Sequence, residues 1–155
     1  MKNINNYIVE KLKKINSKNT GKQYNYFPKN TDELKRIVSN LIKERGNEAN
    51  LNDIDTSEIT DMSYMFQTSK FNGNISKWDV SNVNNMIGMF CYSDFTGENG
   101  DISDWDVSNV KHMNNMFFDS SFNGDISNWD VSKVKSMYTM FMGCPLSKNP
   151  PKWYK

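Results

Sequence analysis

The chain has 155 residues and a mass of 18.0 kDa, which suits a single domain. Its 19 basic and 18 acidic residues give a formal net charge of +1, so no charge excess favours a nucleic-acid or anionic-membrane partner. No segment approaches the roughly 20 consecutive apolar residues that cross a bilayer. Aromatic residues make up 13% of the chain, which excludes a disordered polymer. The composition predicts a folded domain without membrane insertion.

Residues 1–22 contain a candidate amphipathic helix followed by a polar linker. One face of residues 4–15 is apolar: Ile4, Tyr7, Ile8, Leu12 and Ile15. Two interpretations stay open, a docking peptide for a partner and a second cap on the fold. Because the first residues lack the apolar core of a secretory signal, we expect a cytoplasmic or particle-associated location, or the cell surface if a signal was removed.

Residues 23–49 are predicted to form a helical N-terminal cap. The helix is expected over residues 31–45, with Thr31 as N-cap and Gly46 as the stop. Its apolar stripe consists of Leu34, Ile37, Val38, Leu41 and Ile42. Because this helix directly precedes the repeats that begin at residue 50, we expect it to cover the open end of their shared core.

Residues 50–146 repeat one phrase, of which three clear copies centre on Trp78, Trp105 and Trp129. The tryptophans are 27 and 24 residues apart, and the longer interval arises from three extra residues within residues 95–100. A degenerate fourth copy of the phrase precedes them at residues 50–59, as is typical of a terminal repeat. Each copy continues as Val-x-x-Met-x-x-Met-Phe, with Ile in place of Val in the first copy. That spacing predicts a short helix in every repeat.

The helices are expected to start at serine caps: Ser57, Ser81, Ser108 and Ser132. The preceding phrase predicts a strand with Trp78 and Val80 pointing inward. Together these elements predict an α/β fold, a right-handed β/α solenoid similar to leucine-rich repeats, with about four coils of 24–27 residues. The tryptophans would stack along its axis. Residues 147–155 form the predicted C-terminal tail.

The repeated phrase resembles the BspA-like leucine-rich repeat surface proteins, also described as the DUF285 or Mycoplasma-lipoprotein-type repeat of bacteria and phages. The resemblance covers about residues 50–146 and includes the Phe-Met-Gly-Cys-Pro ending at residues 141–145. It implies a solenoid of the cell surface, associated with adhesion and with binding to host proteins.

The outward side chains of the predicted strand row form the candidate partner-binding face: Lys77, Asp79, Ser81, Asp104, Asp106, Ser108, Asn128, Asp130 and Ser132. Its aspartates belong to one column: Asp55, Asp79, Asp106 and Asp130. Stacked carboxylates repel, and three interpretations resolve this. They accept hydrogen bonds in Asx-type turns, they receive a basic partner segment, or neighbouring pairs share Ca²⁺.

No motif for catalysis, phosphate binding or metal binding is present. Cys91 and Cys144 are too few for a disulfide framework, and their repeat positions do not favour pairing. His112 is the only histidine and has no acid or thiol in its motif. We therefore expect neither an enzyme nor a cofactor.

The expected function is a non-catalytic protein-interaction or adhesion-type module that binds a protein partner through its strand face. The alternative is a structural or accessory component of a phage or bacterial particle, docked by its N-terminal segment. The chain would be a monomer or part of a larger particle, and the sequence identifies no particular partner.

Overall fold

A computed structural model describes residues 23–154 of the chain. The docking helix and linker predicted at residues 1–22 lie outside the described residues. Helix α1 spans Thr31–Arg45, and a short 3₁₀ helix spans Pro145–Lys148. Between them the chain forms irregular coils stacked on one another. We number these repeats 1 to 4, at residues 50–73, 74–100, 101–124 and 125–146.

The predicted β/α solenoid is wrong. Within residues 23–154, neither a β-sheet nor a helix inside a repeat is formed. The coils are joined by isolated parallel bridges, such as those from Asn85 to Asp61 and to His112, rather than by strands. The repeats stack, but they are built from turns, for two reasons that lie in the backbone.

The first reason is that the tryptophan phrase folds into five-residue turns instead of a strand. In residues 74–78, the side chain of Asn74 accepts the backbone N–H of Ser76 at 3.0 Å. The N–H of Trp78 then closes the turn by bonding to the Ile75 carbonyl at 3.1 Å. Residues 79–83 repeat this arrangement, with Asp79 as the acceptor for the N–H of Ser81. The apolar spacing that resembles a strand therefore comes from successive turns.

The second reason concerns the Val-x-x-Met-x-x-Met-Phe segment, which we call the methionine phrase. Some of its backbone N–H groups bond within the segment, and others bond to the next repeat. In repeat 1 the N–H of Met65 bonds to the carbonyl of Met62 at 3.3 Å, three residues earlier. The N–H of Phe66 instead crosses to the Met89 carbonyl of repeat 2 at 2.8 Å. An α-helix needs every N–H for its own carbonyl four residues back, so this alternation excludes it.

These turns place non-glycine residues in the left-handed region: Tyr64, Thr68, Tyr92, Asn115, Asp119 and Thr139. Each such residue costs roughly 1–2 kcal/mol relative to the right-handed region. Packing between repeats must offset that cost, because an isolated segment would relax to a helix or coil.

Phenylalanines, not tryptophans, form the columns of the core. The rings of Phe66, Phe90, Phe117 and Phe141 are stacked at centroid distances of 5.4, 5.5 and 5.9 Å. Each tryptophan packs on a phenylalanine, as Trp78 does on Phe66 at 5.7 Å. No two tryptophan rings are paired among the described residues, so the expected tryptophan stack is wrong. The three repeat tryptophans, Trp78, Trp105 and Trp129, are nevertheless buried, as expected for residues that recur once per repeat.

The predicted bounds of the helix, residues 31–45, and its stop at Gly46 are confirmed, but the predicted N-cap is wrong. Asn30, rather than Thr31, is the N-cap, and its side chain accepts the N–H of Glu33 at 2.9 Å. Thr31 instead donates its hydroxyl to the carbonyl of Asp61 in repeat 1 at 2.7 Å. Gly46 ends the helix with a φ of 88°. The apolar face of α1 is buried in the same core cluster as repeat 1, so this end of the stack is covered.

A polar network ties the end of α1 to repeat 1. Arg45 contacts both carboxylate oxygens of Asp53 at 3.0 Å, and Asn25 donates to the same carboxylate at 2.8 Å. Burial alone would raise the pKa of Asp53, but the hydrogen bonds from Arg45 and Asn25 outweigh it and lower the pKa. This network therefore favours the folded state above the unfolded-state pKa of Asp, about 3.9, and that contribution is lost as the pH falls through the lower folded-state value.

We expect Arg45→Met to reduce the free energy of unfolding at pH 7 by about 1–3 kcal/mol, because Asp53 keeps a partly buried charge without its main partner. Urea denaturation at pH 7 measures the change. Lys29→Met is the control, because the Lys29–Glu58 pair is more than half exposed on both sides and should change stability by less than about 0.5 kcal/mol. Equal losses in the two variants would contradict the assigned role of Arg45.

Candidate protein-binding face

The candidate face lies on the tryptophan-phrase side of the stack, and we call it the Asx face. It consists of the nine residues predicted from the sequence: Lys77, Asp79, Ser81, Asp104, Asp106, Ser108, Asn128, Asp130 and Ser132. Six are exposed, whereas Asp79, Ser81 and Ser108 are half-buried. The fold brings these residues to the outer surface of consecutive repeats 2, 3 and 4, on turns rather than on strands.

Asx turns fix the aspartates of this face. Oδ1 of Asp79, Asp106 and Asp130 accepts the backbone N–H of the serine two residues later, at 3.0, 3.1 and 3.0 Å. Asp55 does the same in repeat 1 at 3.1 Å. The interpretation that these aspartates accept hydrogen bonds in Asx-type turns is thereby confirmed. The serines belong to these turns and cap no helix. The second carboxylate oxygen, Oδ2, has no hydrogen-bond partner within residues 23–154 and can accept from a ligand.

Two carboxylates of the face, those of Asp106 and Asp130, are held in their charged form. The side chain and backbone N–H of Ser108 lower the pKa of Asp106, and Ser132 does the same for Asp130. The neighbouring charge of Asp130 partly opposes the lowering of the Asp106 pKa. The charge of Lys133 lowers the pKa of both Asp106 and Asp130. The face therefore stays negatively charged at neutral pH.

A cleft of about 300 Å³ opens in the Asx face between repeats 2 and 3. Its lining includes charged side chains and residues whose side chains are buried in the core: Ser76, Lys77, Trp78, Asp79, Val80, Asp104, Trp105 and Asp106. Three carboxylates and one ammonium group surround the opening. The chemistry of this cleft suits the side chain of a lysine or arginine, whose stem can lie on apolar surface while its charge meets carboxylates.

Repeats 2 and 3 lack an indole hydrogen bond that is present between the other neighbouring segments of the stack. The indole N–H of Trp78, Trp129 and Trp153 donates to a carbonyl of the preceding repeat at 3.0, 3.1 and 3.0 Å. The indole N–H of Trp105 is buried and has no such partner among the described residues. This difference coincides with the three extra residues within residues 95–100, which lengthen only this interval.

Sequence reasoning missed a polar column beside the face. Asn82 donates its amide to the Ser57 carbonyl at 2.8 Å, and Asn109 donates to the Ser81 carbonyl at the same distance. Lys133 occupies the equivalent position in repeat 4 and donates to the Asn109 side chain at 2.7 Å. Their signal in the sequence was their place directly after the serine of each phrase.

Other reactive side chains lie apart from this face. Cys91 and Cys144 are buried free thiols, and burial raises the pKa of both. His112 contacts the hydroxyl of Ser136 at 3.3 Å through Nδ1. Within residues 23–154 no three acidic, histidine or cysteine side chains converge as metal ligands, and no helix has the length and apolarity to cross a membrane.

The stacked coils, in which Asx turns recur at equivalent positions from repeat to repeat, define a repeat protein. A comparison with protein families matches residues 32–153 to DUF285, described as a Mycoplasma protein of unknown function. The match spans most of the chain, so the protein belongs to the DUF285 family. Neither the curated proteins nor the solved structures contain a match. The expectation that the chain is not an enzyme, and the alternative of a particle component docked by residues 1–22, stay predictions.

Proposed function

We propose that the protein is a non-catalytic interaction module that binds a basic segment of a protein partner through the Asx face. The observation that supports this most strongly is the row of turn-held carboxylates, each with one oxygen left for a ligand. Because the turns hold the side chains in place, a partner would bind them with little loss of side-chain entropy. The formal net charge of +1 means that attraction of a basic partner must come from this local arrangement.

The cleft between repeats 2 and 3 adds a specific contact to this charged row. A lysine or arginine of the partner would place its stem in this cleft and its charge beside Asp79 and Asp106. The resemblance of the repeated phrase to BspA-like surface proteins, which are associated with adhesion, also supports a protein partner. A lysine-rich peptide is therefore a suitable probe.

The charge of the face can be removed without removing its turns. We expect the triple variant Asp79→Asn, Asp106→Asn and Asp130→Asn to bind a fluorescent lysine-rich peptide about tenfold more weakly, since each exposed charge contributes a fraction of a kcal/mol. The fold should persist because asparagine already makes the same turn at Asn74 and Asn85. Fluorescence anisotropy in low salt measures the affinity.

A matched control removes three exposed carboxylates elsewhere: Glu44→Gln, Asp94→Asn and Glu98→Gln. This control should retain the affinity of the natural chain. Binding should also be retained at pH 5 and weaken only as the pH falls through the lowered pKa values of Asp106 and Asp130, where these two carboxylates become protonated. Equal weakening in both triple variants would show attraction by overall charge and would contradict the proposed face.

A further inference from the structure

The two ends of the stack are covered unequally. In repeat 1, Thr56, Ile59 and Met62 are at most 1% exposed beneath α1 and repeat 2. Their equivalents in repeat 4, Val131, Val134 and Met137, are only partly buried. Trp153 and Tyr154 cover the Phe141 ring at 6.0 and 4.8 Å, so the tail closes one side of this end. The other side stays open.

The open side also has unpaired backbone groups. Repeat 3 donates four N–H groups to carbonyls of repeat 4, from Met113, Asn115, Phe117 and Asp119, at 2.8–3.0 Å. The equivalent N–H groups of repeat 4 have no hydrogen-bond partner among the described residues: Met137, Thr139, Phe141 and Gly143. We call this row the donor edge. A cavity of about 300 Å³ lies beside it, lined in part by Val134, Met137 and Tyr138.

Large apolar side chains are exposed along the donor edge. Tyr138 is 77% exposed and Met142 is 58% exposed, more than any other large apolar side chain among the described residues. Both flank the row of free N–H groups. An apolar strip beside unpaired donors is the condition under which an added backbone segment can pair with an edge.

A second copy of the described part of the chain does not fit this edge. Two copies that met through their donor edges would place N–H groups against N–H groups. In the complementary carbonyl edge of repeat 1, the Thr31 hydroxyl of α1 already bonds to the Asp61 carbonyl, and the Thr68 hydroxyl bonds to the Gln67 carbonyl. The occupant must instead present free carbonyls at every second residue.

We propose that the donor edge of repeat 4 binds a repeat of the same kind from a different protein, one whose carbonyl edge is not covered by a helix. The interface would continue the contacts that already join repeats 1 to 2, 2 to 3 and 3 to 4 in this chain. The partner's carbonyls would accept from the four free N–H groups, and its apolar side chains would cover Val131, Val134 and Met137. This surface is separate from the Asx face and does not depend on it.

A peptide that copies residues 107–122 is the probe, because in the chain this segment offers the carbonyls of His112, Asn114, Met116 and Phe118 to repeat 2. In amide hydrogen exchange of the full chain, we expect Met137, Thr139 and Phe141 to exchange at least tenfold faster than their repeat 3 equivalents. Saturating peptide should slow their exchange at least tenfold. A scrambled peptide should have no effect.

Tyr138→Lys with Met142→Lys should weaken peptide binding at least tenfold, because it replaces exposed apolar contacts with charge. Ser63→Lys with Gln67→Lys is the matched control at the same register positions in repeat 1 and should bind normally. Protection of the donor-edge amides before peptide is added would overturn the proposal, since another part of the chain would then cover them. A dimer abolished by Tyr138→Lys would also overturn it, as would no response to peptide. The triple Asx-face variant should bind this peptide normally, so either proposal can fail alone.

Discussion

Gly73→Ala is expected to reduce the free energy of unfolding by about 3 kcal/mol, because it forces the end of repeat 1 away from the backbone of Ala49, which precedes the repeat. A Cβ at this position would lie 2.1 Å from the carbonyl oxygen of Ala49 and 2.8 Å from its nitrogen, both backbone atoms. The same carbonyl accepts the N–H of Asn74 at 2.9 Å, and the Asn74 carbonyl accepts the N–H of Leu51. The backbone cannot move aside without breaking this pair of bonds, which join Ala49 and Leu51 to Asn74 of repeat 2.

Gly46→Ala provides the comparison for this effect. A Cβ at Gly46 meets no atom within 4 Å, so only its φ of 88° opposes the substitution. We expect a loss of about 1 kcal/mol from the left-handed conformation alone. Urea denaturation of both variants separates steric contact from backbone strain. If Gly73→Ala costs no more than Gly46→Ala, the close approach of Gly73 to the Ala49 backbone is wrong.

The sequence predicted those parts of the fold that depend on local signals. Helix α1 has a continuous apolar stripe, acidic residues in its first turn and Gly46 after its last, and all of these act within about four residues. The recurrence of Trp78, Trp105 and Trp129 also predicted burial, because a residue that returns once per repeat is placed in one environment by stacking.

The secondary structure of the repeats was wrong because it depends on partners outside the segment. Val-x-x-Met-x-x-Met-Phe has helical spacing, yet alternate N–H groups such as that of Phe66 bond to the next repeat. Tyr64 and Thr68 lie in the left-handed region without the glycine that would have indicated it. Apolar spacing reports which side chains are buried, and several backbone paths satisfy the same spacing.

The candidate face was predictable in its position but not in its geometry. Asp and Ser recur two residues apart in the phrase, which is the signature of an Asx turn, so the column could be placed on the surface. The cleft beside Trp105 lies between the two repeats whose interval is three residues longer. The longer interval is visible in the sequence, but the apolar spacing predicts no cleft there.

Phe90→Ala should reduce the free energy of unfolding by about 3–5 kcal/mol, the range for deleting a buried aromatic ring. Phe90 is fully buried and contacts four rings in three repeats, with the nearest, Phe95, at a centroid distance of 4.5 Å. It stacks on Phe66 below and Phe117 above at 5.4 and 5.5 Å. Guanidinium denaturation, followed by tryptophan fluorescence, measures the loss.

The destabilisation caused by Phe90→Ala should extend to the repeats on both sides of repeat 2. Each repeat contacts only its neighbours, so a cavity at Phe90 weakens the interfaces on both sides of repeat 2, and amide exchange should accelerate in repeats 1 and 3 together. Tyr138→Ala, at a side chain that is 77% exposed, should change stability by less than about 0.5 kcal/mol. A loss below about 1 kcal/mol in Phe90→Ala, or faster exchange confined to repeat 2, would show that the phenylalanine column does not hold the coils together.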